Sequence, residues 1–559
     1  MLMKKKKNPA LIAALILFAA AIGIAVFYTA LQNLPNSRKA NLSAYYHLKE
    51  DGEIGLVCDG RVSAAPARRI EGRLYLPCAF FKEMPALGLF YDAADHLLIL
   101  TRPEEVVTVP ADGTDEAFLL KNEIPYVSLD FVKENCPAAA EVTADFAGDP
   151  ESVSLRTAAE YREAAVAADG AVLRTGSGIR NPILAELPGG TKVRVLPDES
   201  AEEGWTAAVS GGYSGFLKTE ELSEVRDARE ELPNAQEYTH LLSERRICLA
   251  FHQVTDQASN DALPEYIKAV SGATDLAPTW FFLDSGEGEV SSLSDGKYVR
   301  RAAEKKLGVW AVFNDFDGQA GSRATGEALS SYRRREKMIR TVTEGVLKAG
   351  AGGICIDFEN VTASSAGDFI EFLRELSAVC RREKLILSVC NFTPMFTKYY
   401  NRGQQAVAAD YIICMCYDEH TKNSANPGST ASLAFVRDGI DATLKEVPKE
   451  QVLAALPFYT RIWETKDGAI LDCRSAGMAG AAAYVEENGL SVTRDESAGQ
   501  DYAVKEANGK KTEIWLENRY SLEKKLEVVK ASDLAGVAVW KLGFETEDIW
   551  ELFSAYTGS

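Results

Sequence analysis

The stretch GGICIDFEN, residues 352–360, decides the fold of the C-terminal half of this chain. It opens as an apolar run typical of a buried strand and closes on two carboxylates, Asp357 and Glu359. Burying a carboxylate without a partner is costly, so these two charges indicate a site that uses them. Because alternate side chains of a strand share a face, both are predicted to point the same way as Cys355. The opposite face is then formed by Ile354, Ile356 and Phe358.

Apolar, β-rich runs of this kind recur along residues 245–558 and alternate with amphipathic helical stretches. Continuous apolar strands between helices indicate parallel strands covered by helices, and eight such units make a (β/α)8 barrel. We therefore predict an α/β fold with a TIM barrel over 245–558. A charged, Gly-rich insertion is predicted at about 463–530, before the last strand. The eight runs cover residues 247–254, 277–284, 308–314, 353–359, 385–391, 411–417, 452–458 and 536–542.

The barrel gives the two carboxylates a location. Active sites of such barrels lie at the C-terminal ends of the strands, and Asp357 and Glu359 end the fourth run. Their side of the strand is the inward one, since the apolar side suits contact with helices. The two carboxylates are therefore predicted to line the floor of a pocket; the alternative is an ion pair or loop carboxylates without function.

The N-terminus carries a membrane signal. Four lysines precede an uncharged stretch of 22 residues, Ala10 to Leu31. About 20 apolar residues span a bilayer as a helix, and lysines before the span leave the rest of the chain outside. We predict a basic cytoplasmic tail and a single transmembrane signal-anchor over residues 1–35, with the barrel extracellular at the cell membrane. A cleaved signal peptide and a secreted protein are the alternative.

Two small domains are predicted between the anchor and the barrel. The segments YLPCAFFKE (75–83) and YVSLDFVKE (126–134) form a repeat, and each copy begins like a strand and ends like a short helix. Residues 45–150, which contain this repeat, resemble copper-amine-oxidase N-terminal-like domains, and no copper is implied. Residues 168–225 have short strands and Gly-rich turns, and they resemble bacterial Src-homology-3-like domains, which either contact the cell wall or act as spacers.

Composition excludes some functions. The chain has 61 Lys and Arg against 81 Asp and Glu, a net charge of −20, which argues against binding to nucleic acid. No CxxC pair occurs, and two histidines near the predicted mouth, His252 and His420, are too few for a zinc site. These two are predicted to line the cleft. We predict no metal and no cofactor.

Four motifs resemble those of glycoside hydrolase family 18, the chitinase-like family. GGICIDFEN is similar to its DGxDxDxE strand, and YIICMCYDEH (411–420) is similar to its MxYD strand. LPFYTRIW (456–463) and GVAVWKLGFE (536–545) resemble its seventh and eighth strands. The motifs stand in the family's order along residues 245–558. IDFEN, YDEH and PFYTRxW together resemble the spore-cortex and cell-wall branch of N-acetylglucosaminidases.

The resemblance implies retaining hydrolysis assisted by the substrate's own acetamido group. Glu359 would be the general acid and then the base, and Asp357 would accept the acetamido N–H and orient it. Tyr417 would hold the oxygen of the oxazolinium intermediate. Asp418 would bind the same sugar, and Trp540 would form an apolar floor under the ring. Tyr459 and Arg461 are further candidates for this subsite.

Two departures from the family pattern keep a second function open. The family's outer Asp positions hold Gly352 and Cys355 here, and a thiol does not share a proton with Asp357 as a carboxylate would. The alternative is a catalytically weak or inactive barrel that binds aminosugar polymers at the cell surface. For the enzyme, the resemblance implies β-linked N-acetylglucosamine in peptidoglycan, with chitin-like glycans as the alternative.

Overall fold

The computed structural model describes residues 34–110, 117–143, 150–197, 201–234, 238–316 and 321–558. The chain divides into two compact units, one of residues 1–81 and 112–235 and the other of residues 82–111 and 236–559. The predicted membrane anchor, Ala10 to Leu31, lies outside the described residues. Within the described ranges, no helix combines the length and the apolar character needed to cross a membrane.

The first unit begins with an eight-stranded sheet that contains both copies of the sequence repeat. Each copy forms a strand followed by a short helix, and the two strands pair antiparallel with Tyr75 opposite Ser128. The strands are Glu53–Cys58, Arg61–Val62, Ala67–Ile70, Arg73–Pro77, Phe118–Lys121, Ile124–Ser128, Ala139–Thr143 and Ser152–Arg156. The helices are Leu42–Tyr45, Ala79–Glu83 and Leu129–Asn135.

A seven-stranded antiparallel sheet follows in the same unit. It extends from Glu160 to Arg229, beyond the predicted range 168–225, because its first and last strands pair with each other at one edge. Leu173, Ala208 and Leu217 are fully buried in its core. The strands are Glu160–Ala165, Ala171–Arg174, Ile183–Leu187, Lys192–Val195, Trp205–Ser210, Tyr213–Lys218 and Arg226–Arg229.

The second unit is built on a closed barrel of eight parallel strands, which confirms the predicted fold of this region. Each strand pairs in parallel with its neighbours, and the first strand pairs with both the second and the eighth. The strands are β1 (Ile247–His252), β2 (Asp275–Leu283), β3 (Gly308–Asn314), β4 (Gly353–Asp357), β5 (Ile386–Phe392), β6 (Tyr411–Met415), β7 (Val452–Pro457) and β8 (Gly536–Trp540).

Alternation along the strands creates two apolar cores. Cys355 of β4 packs inside the barrel with Trp310, Ile413 and Ala538. Ile354, Ile356 and Phe358 pack in a larger core between the strands and the surrounding helices. The structure thus confirms the prediction that Cys355 points into the barrel and that Ile354, Ile356 and Phe358 point toward the helices.

Helices cover the outside of the barrel. The longest two, Tyr332–Ala349 and Ala366–Glu383, flank β4 in the chain. The others are Gln257–Asp261, Leu263–Tyr266, Gly296–Glu304, Ser322–Leu329, Arg402–Ala408, Leu433–Thr443, Arg519–Ala531 and Trp550–Thr557. One more helix, Met478–Asn488, packs instead on antiparallel strands inserted between β7 and β8.

A five-stranded antiparallel sheet is inserted between β7 and β8. It spans Tyr459 to Leu516, whereas the sequence prediction was 463–530. The predicted end differs because helix Arg519–Ala531 buries Leu522, Leu526 and Val529 in the barrel's outer core. The strands are Tyr459–Lys466, Ala469–Gly477, Ser491–Asp495, Gln500–Ala507 and Lys510–Leu516.

A small three-stranded sheet from residues 89–110 also belongs to the barrel unit. Arg335, fully buried on helix Tyr332–Ala349, lies 3.2 Å from Asp92 of this sheet and 2.8 Å from Glu375. Thr101 donates to buried Glu371 at 2.5 Å. The predicted ranges 45–150 and 245–558 therefore separate residues that fold together. The strands are Leu89–Asp92, Leu97–Thr101 and Val106–Pro110.

Candidate active site

The two carboxylates of GGICIDFEN lie at the C-terminal end of β4. Helix Tyr332–Ala349 ends at Gly350, whose φ of 78° is readily adopted only by glycine, and the chain then enters β4. The Asp357 side chain is buried, with 3% of its residue surface exposed, whereas Glu359 is exposed. The chain thus places a buried carboxylate beneath an accessible one.

Tyr417 lies just after β6, near enough to Asp357 and Glu359 for both charges to act on its hydroxyl. It packs against the inner and the outer core, and its ring is 6.1 Å from that of Tyr459 in an edge-on arrangement. Burial raises the pKa of the Tyr417 hydroxyl well above its usual range, and the charges of Asp357 and Glu359 raise it further. The hydroxyl therefore stays protonated and can donate a hydrogen bond.

A second polar group is centred on Asp418. Its Oδ1 accepts the Tyr459 hydroxyl at 2.6 Å and the Arg461 guanidinium at 2.7 Å. Asp418 has a φ of 60°, a left-handed conformation that Asp tolerates better than most residues. Tyr459 and Arg461 come from the first strand of the inserted sheet, so the insertion supplies part of the barrel mouth.

Trp540 ends β8 and is half-buried. Its ring lies 5.6 Å from that of Phe251, and it packs against the inner core, as Tyr417 does. The structure therefore brings the seven residues that the sequence predicts to the C-terminal end of one barrel. They are Glu359, Asp357, Tyr417, Asp418, Trp540, Tyr459 and Arg461.

Two thiols occupy the floor next to Asp357. The sulfur atoms of Cys355 and Cys390 are 3.6 Å apart, and both residues are buried. Burial raises the pKa of the Cys390 thiol well above its usual range, and the hydrogen bond with Cys355 and the charge of Asp357 add to this. Cys390 is thus a neutral thiol, which supplies no second negative charge beside Asp357.

The prediction that His252 and His420 line the cleft is wrong for His252. This residue is outward-facing on β1, because Cys248 and Ala250, on the same face, belong to the outer core. Its Nδ1 lies 3.1 Å from the Tyr298 hydroxyl. His420 lies in the loop after β6, where its Nδ1 is 3.1 Å from the carbonyl oxygen of Ser429.

Two residues near the carboxylates have no place in the sequence prediction. Asp315 follows β3 and accepts the backbone N–H of Glu359 at 2.8 Å. Tyr400 donates its hydroxyl to the carbonyl oxygen of Phe358 at 3.1 Å. Only the parallel pairing of β3, β4 and β5 brings these positions together, so no local pattern identifies them.

Comparison with known families identifies this barrel. The sequence profile described as glycosyl hydrolases family 18 matches residues 252–545, which is more than half of the chain. The chain belongs to glycosyl hydrolase family 18. It is a glycosidase, and the matched range contains all seven residues of the predicted site.

Two curated relatives of this family 18 chain come from Bacillus subtilis (strain 168). Uncharacterized glycosylase YvbX is 24% identical over 311 residues, which are 53% of this chain and 87% of that protein. Cortical fragment-lytic enzyme is 23% identical over 255 residues, 44% of this chain and 58% of that enzyme. The match therefore spans less than two thirds of the second relative.

Solved structures share the fold. The Bacillus cereus spore cortex-lytic enzyme SleL aligns with a TM-score of 0.51 and 19% identity, over 56% of this chain and 74% of that one. A chitinase from Chromobacterium violaceum ATCC 12472 aligns with a TM-score of 0.50 and 19% identity, over 56% and 99%. At 19% sequence identity, these alignments show that the folds are alike.

Proposed function

We propose that this family 18 glycosidase hydrolyses β-linked N-acetylglucosamine with retention, using the substrate's acetamido group as the nucleophile. One observation carries the proposal: exposed Glu359 stands two residues past buried Asp357 at the C-terminal end of β4. An accessible carboxyl group reaches a leaving oxygen, and a buried carboxylate suits an orienting role. The two positions thus favour different tasks.

In the first step the acetamido oxygen attacks the anomeric carbon, and the bond from that carbon to the leaving oxygen breaks. Glu359 gives its proton to the leaving oxygen. Asp357 accepts the acetamido N–H, which aligns the attacking oxygen and balances the positive charge of the oxazolinium ion. Tyr417 donates its hydroxyl to the oxazolinium oxygen, for which its high pKa suits it.

In the second step water attacks the anomeric carbon from the face that the leaving group vacated. Glu359, now a carboxylate, takes one proton from this water. The bond between the anomeric carbon and the ring oxygen of the oxazolinium breaks, and the acetamido group is restored. Two inversions at one carbon retain the configuration, and Glu359 ends protonated for the next cycle.

Trp540, Asp418, Tyr459 and Arg461 are assigned to sugar binding. The half-buried indole of Trp540 presents an aromatic face on which the C–H face of a pyranose packs. Asp418 is held by two donors, so its remaining acceptor capacity is fixed in direction for a sugar hydroxyl.

The proposed glycan is peptidoglycan, with chitin-like polymers as the alternative. Two structures with the same fold support these two glycans: SleL is a spore cortex-lytic enzyme, and the Chromobacterium violaceum protein is a chitinase. We extend the proposal to placement: the apolar segment Ala10 to Leu31 anchors the chain in the membrane with the barrel outside.

A second function, binding of aminosugar polymers without efficient cleavage, is favoured by Cys355 and Cys390. Cys355 stands where the family pattern has an acidic or polar residue, and its sulfur lies 3.6 Å from that of buried Cys390. Without a neighbouring carboxylate to share its proton, Asp357 would assist the first step less well. The sugar-binding residues would remain in place.

The distinguishing experiment is digestion of purified peptidoglycan and of chitin by the full chain. New reducing ends identified by mass spectrometry as N-acetylglucosamine, and shown by proton NMR to be in the β configuration before mutarotation, support the enzyme. An N-acetylglucosamine-derived thiazoline, which mimics the oxazolinium ion, is then expected to inhibit competitively. Glycan binding without new reducing ends supports the second function, and cleavage insensitive to the thiazoline contradicts the assisted mechanism.

A further inference from the structure

Asp315 holds the backbone on which Glu359 stands. It follows the last residue of β3, where Asn314 pairs with Asp357 of β4. Its Oδ1 accepts the Glu359 N–H at 2.8 Å, and its Oδ2 accepts the Asn360 N–H at 3.1 Å. Each carboxylate oxygen thus binds one of two successive backbone N–H groups.

The rest of Asp315 is equally engaged. Its backbone oxygen accepts the Asn360 side-chain amide at 2.9 Å, and its Oδ2 also accepts the Thr325 hydroxyl at 2.9 Å. Asp315 and Thr325 have no exposed surface. A buried carboxylate surrounded by donors is both compensated and fixed in direction.

The loop after β4 is therefore clamped from two sides. Asp315 holds residues 359 and 360 from the β3 side, and Tyr400 binds the Phe358 carbonyl from the β5 side. Glu359 itself is exposed, and these contacts hold its backbone. A reacting group needs placement to within a fraction of an ångström.

We propose that Asp315 is the positioning residue of the site: its carboxylate fixes the Glu359 backbone so that the Glu359 carboxyl group meets the leaving oxygen. This role rests on the proposed function of Glu359. It predicts an effect on turnover that exceeds any effect on substrate binding, because Asp315 contacts the acid's backbone and has no exposed surface for the sugar to touch.

The test compares Asp315→Ala and Asp315→Asn with Asp410→Asn in the full chain. Asp410 is the control: it is also fully buried and accepts a backbone N–H, that of Leu387 at 2.8 Å, but it is paired with Arg381 at 2.8 Å and precedes β6 at the opposite end of the barrel. Substitution at either position therefore shows how much stability is lost when a buried carboxylate is removed. Only Asp315 touches the loop that carries Glu359.

Asp315→Ala is expected to lower kcat by about 10²-fold and to change KM by less than about threefold, as a misplacement of roughly 1 Å would. Asp315→Asn keeps one oxygen for the Glu359 N–H, so an intermediate loss of about tenfold is expected. Asp410→Asn is expected to lower the unfolding temperature with kcat within about threefold of the wild type. If Asp315→Ala does not fold, the kcat of Asp315→Asn serves as the test of the positioning role.

Hydrogen exchange separates failure of this inference from failure of the proposed function. In Asp315→Asn or Asp315→Ala, exchange in the peptide containing residues 358–361 is expected to accelerate while other barrel strands keep their protection. This outcome supports the clamp even if the wild type cleaves no glycan. Unchanged exchange, or a kcat loss matched by Asp410→Asn, would overturn the positioning role.

Discussion

Arg461 and Asp418 form an ion pair of 2.7 Å across the barrel mouth, with only 12% of the arginine side chain exposed. Arg461 comes from the inserted sheet and Asp418 from the end of β6. The pair therefore connects the insertion to the part of the site that we propose binds the sugar. This contact gives the insertion a role in the family 18 barrel.

Arg461→Ala is expected to raise KM roughly tenfold and to change kcat less. A hydrogen bond to a charged group contributes about 1.5–3 kcal/mol, and without it Asp418 turns away from the sugar. Steady-state kinetics on a soluble chitooligosaccharide measure both constants. The control is Arg474→Ala, which removes an exposed ion pair with Asp472 on the neighbouring strand. Equal effects of the two variants would contradict the role of Arg461.

Cys355→Asp is expected to change the pH–rate profile and to lower the unfolding temperature. Cys355 is fully buried, and its sulfur lies 3.6 Å from that of Cys390. A carboxylate at this position loses its hydration and repels Asp357, and both effects destabilise the fold. Cys355→Ala adds no charge and serves as the control. A profile for Cys355→Asp that coincides with that of the wild type would mean that this position does not tune the carboxylates.

His252 is expected to make the barrel less stable in acid. Burial, followed by the nearby Lys541, lowers its pKa to about 4 from the usual 6.5. The unfolded chain binds a proton below pH 6.5 that the folded chain rejects, so stability falls as pH drops from about 6.5 to about 4. The loss is at most roughly 3 kcal/mol.

Denaturant unfolding followed by tryptophan fluorescence measures this dependence, since six of the seven tryptophans lie in residues 236–559. His252→Gln is expected to be less stable than the wild type at pH 7.5, because it loses the contact with Tyr298. Between pH 6.5 and 4, however, its free energy of unfolding is expected to change less with pH. The control, His47→Gln, changes an exposed histidine in the other unit. A slope unchanged in His252→Gln would assign the acid sensitivity to other groups.

Arg335→Leu is expected to destabilise the barrel unit by about 3–5 kcal/mol, because it leaves buried carboxylates without their cation. Asp92 and Glu375 both face Arg335, and burial raises the pKa of Glu375 to about 7. Arg333→Ala removes an exposed partner of Asp95 and is expected to cost less than about 1 kcal/mol.

A chain that begins at residue 245 is expected to show the same defect as Arg335→Leu, since it lacks the sheet of residues 89–110. Its unfolding temperature, compared with that of the full chain, measures the contribution of this sheet. A truncated barrel as stable as the intact one would contradict the assignment of residues 82–111 to the barrel unit.

Much of the barrel is predictable from sequence, because strands buried on both faces produce continuous apolar runs. The strict two-residue alternation of β4 is enough to assign Cys355 to the inside and Ile354 to the outside. The family resemblance adds the residues at the C-terminal ends of β6, β7 and β8, which lie far apart in sequence.

What the sequence does not predict are contacts that depend on tertiary arrangement. Asp92 and Arg335 are separated by more than two hundred residues, and nothing near Asp92 indicates a buried cation as its partner. Asp315 stands in an ordinary polar stretch after β3, and only strand pairing brings it to Glu359. The prediction for His252 is wrong because the alternation that turns Cys248 and Ala250 outward continues to the last residue of β1.

The most direct test of the account is the rate at which Glu359→Gln releases reducing ends from peptidoglycan. The substitution keeps the shape of the side chain and removes its proton, so the rate is expected to fall by about 10²–10⁴-fold, while the thiazoline still binds through Trp540 and Asp418. Glu344→Gln, an exposed carboxylate on helix Tyr332–Ala349, is the control and is expected to match the wild type. Full activity in Glu359→Gln would contradict the assignment of Glu359 as the general acid.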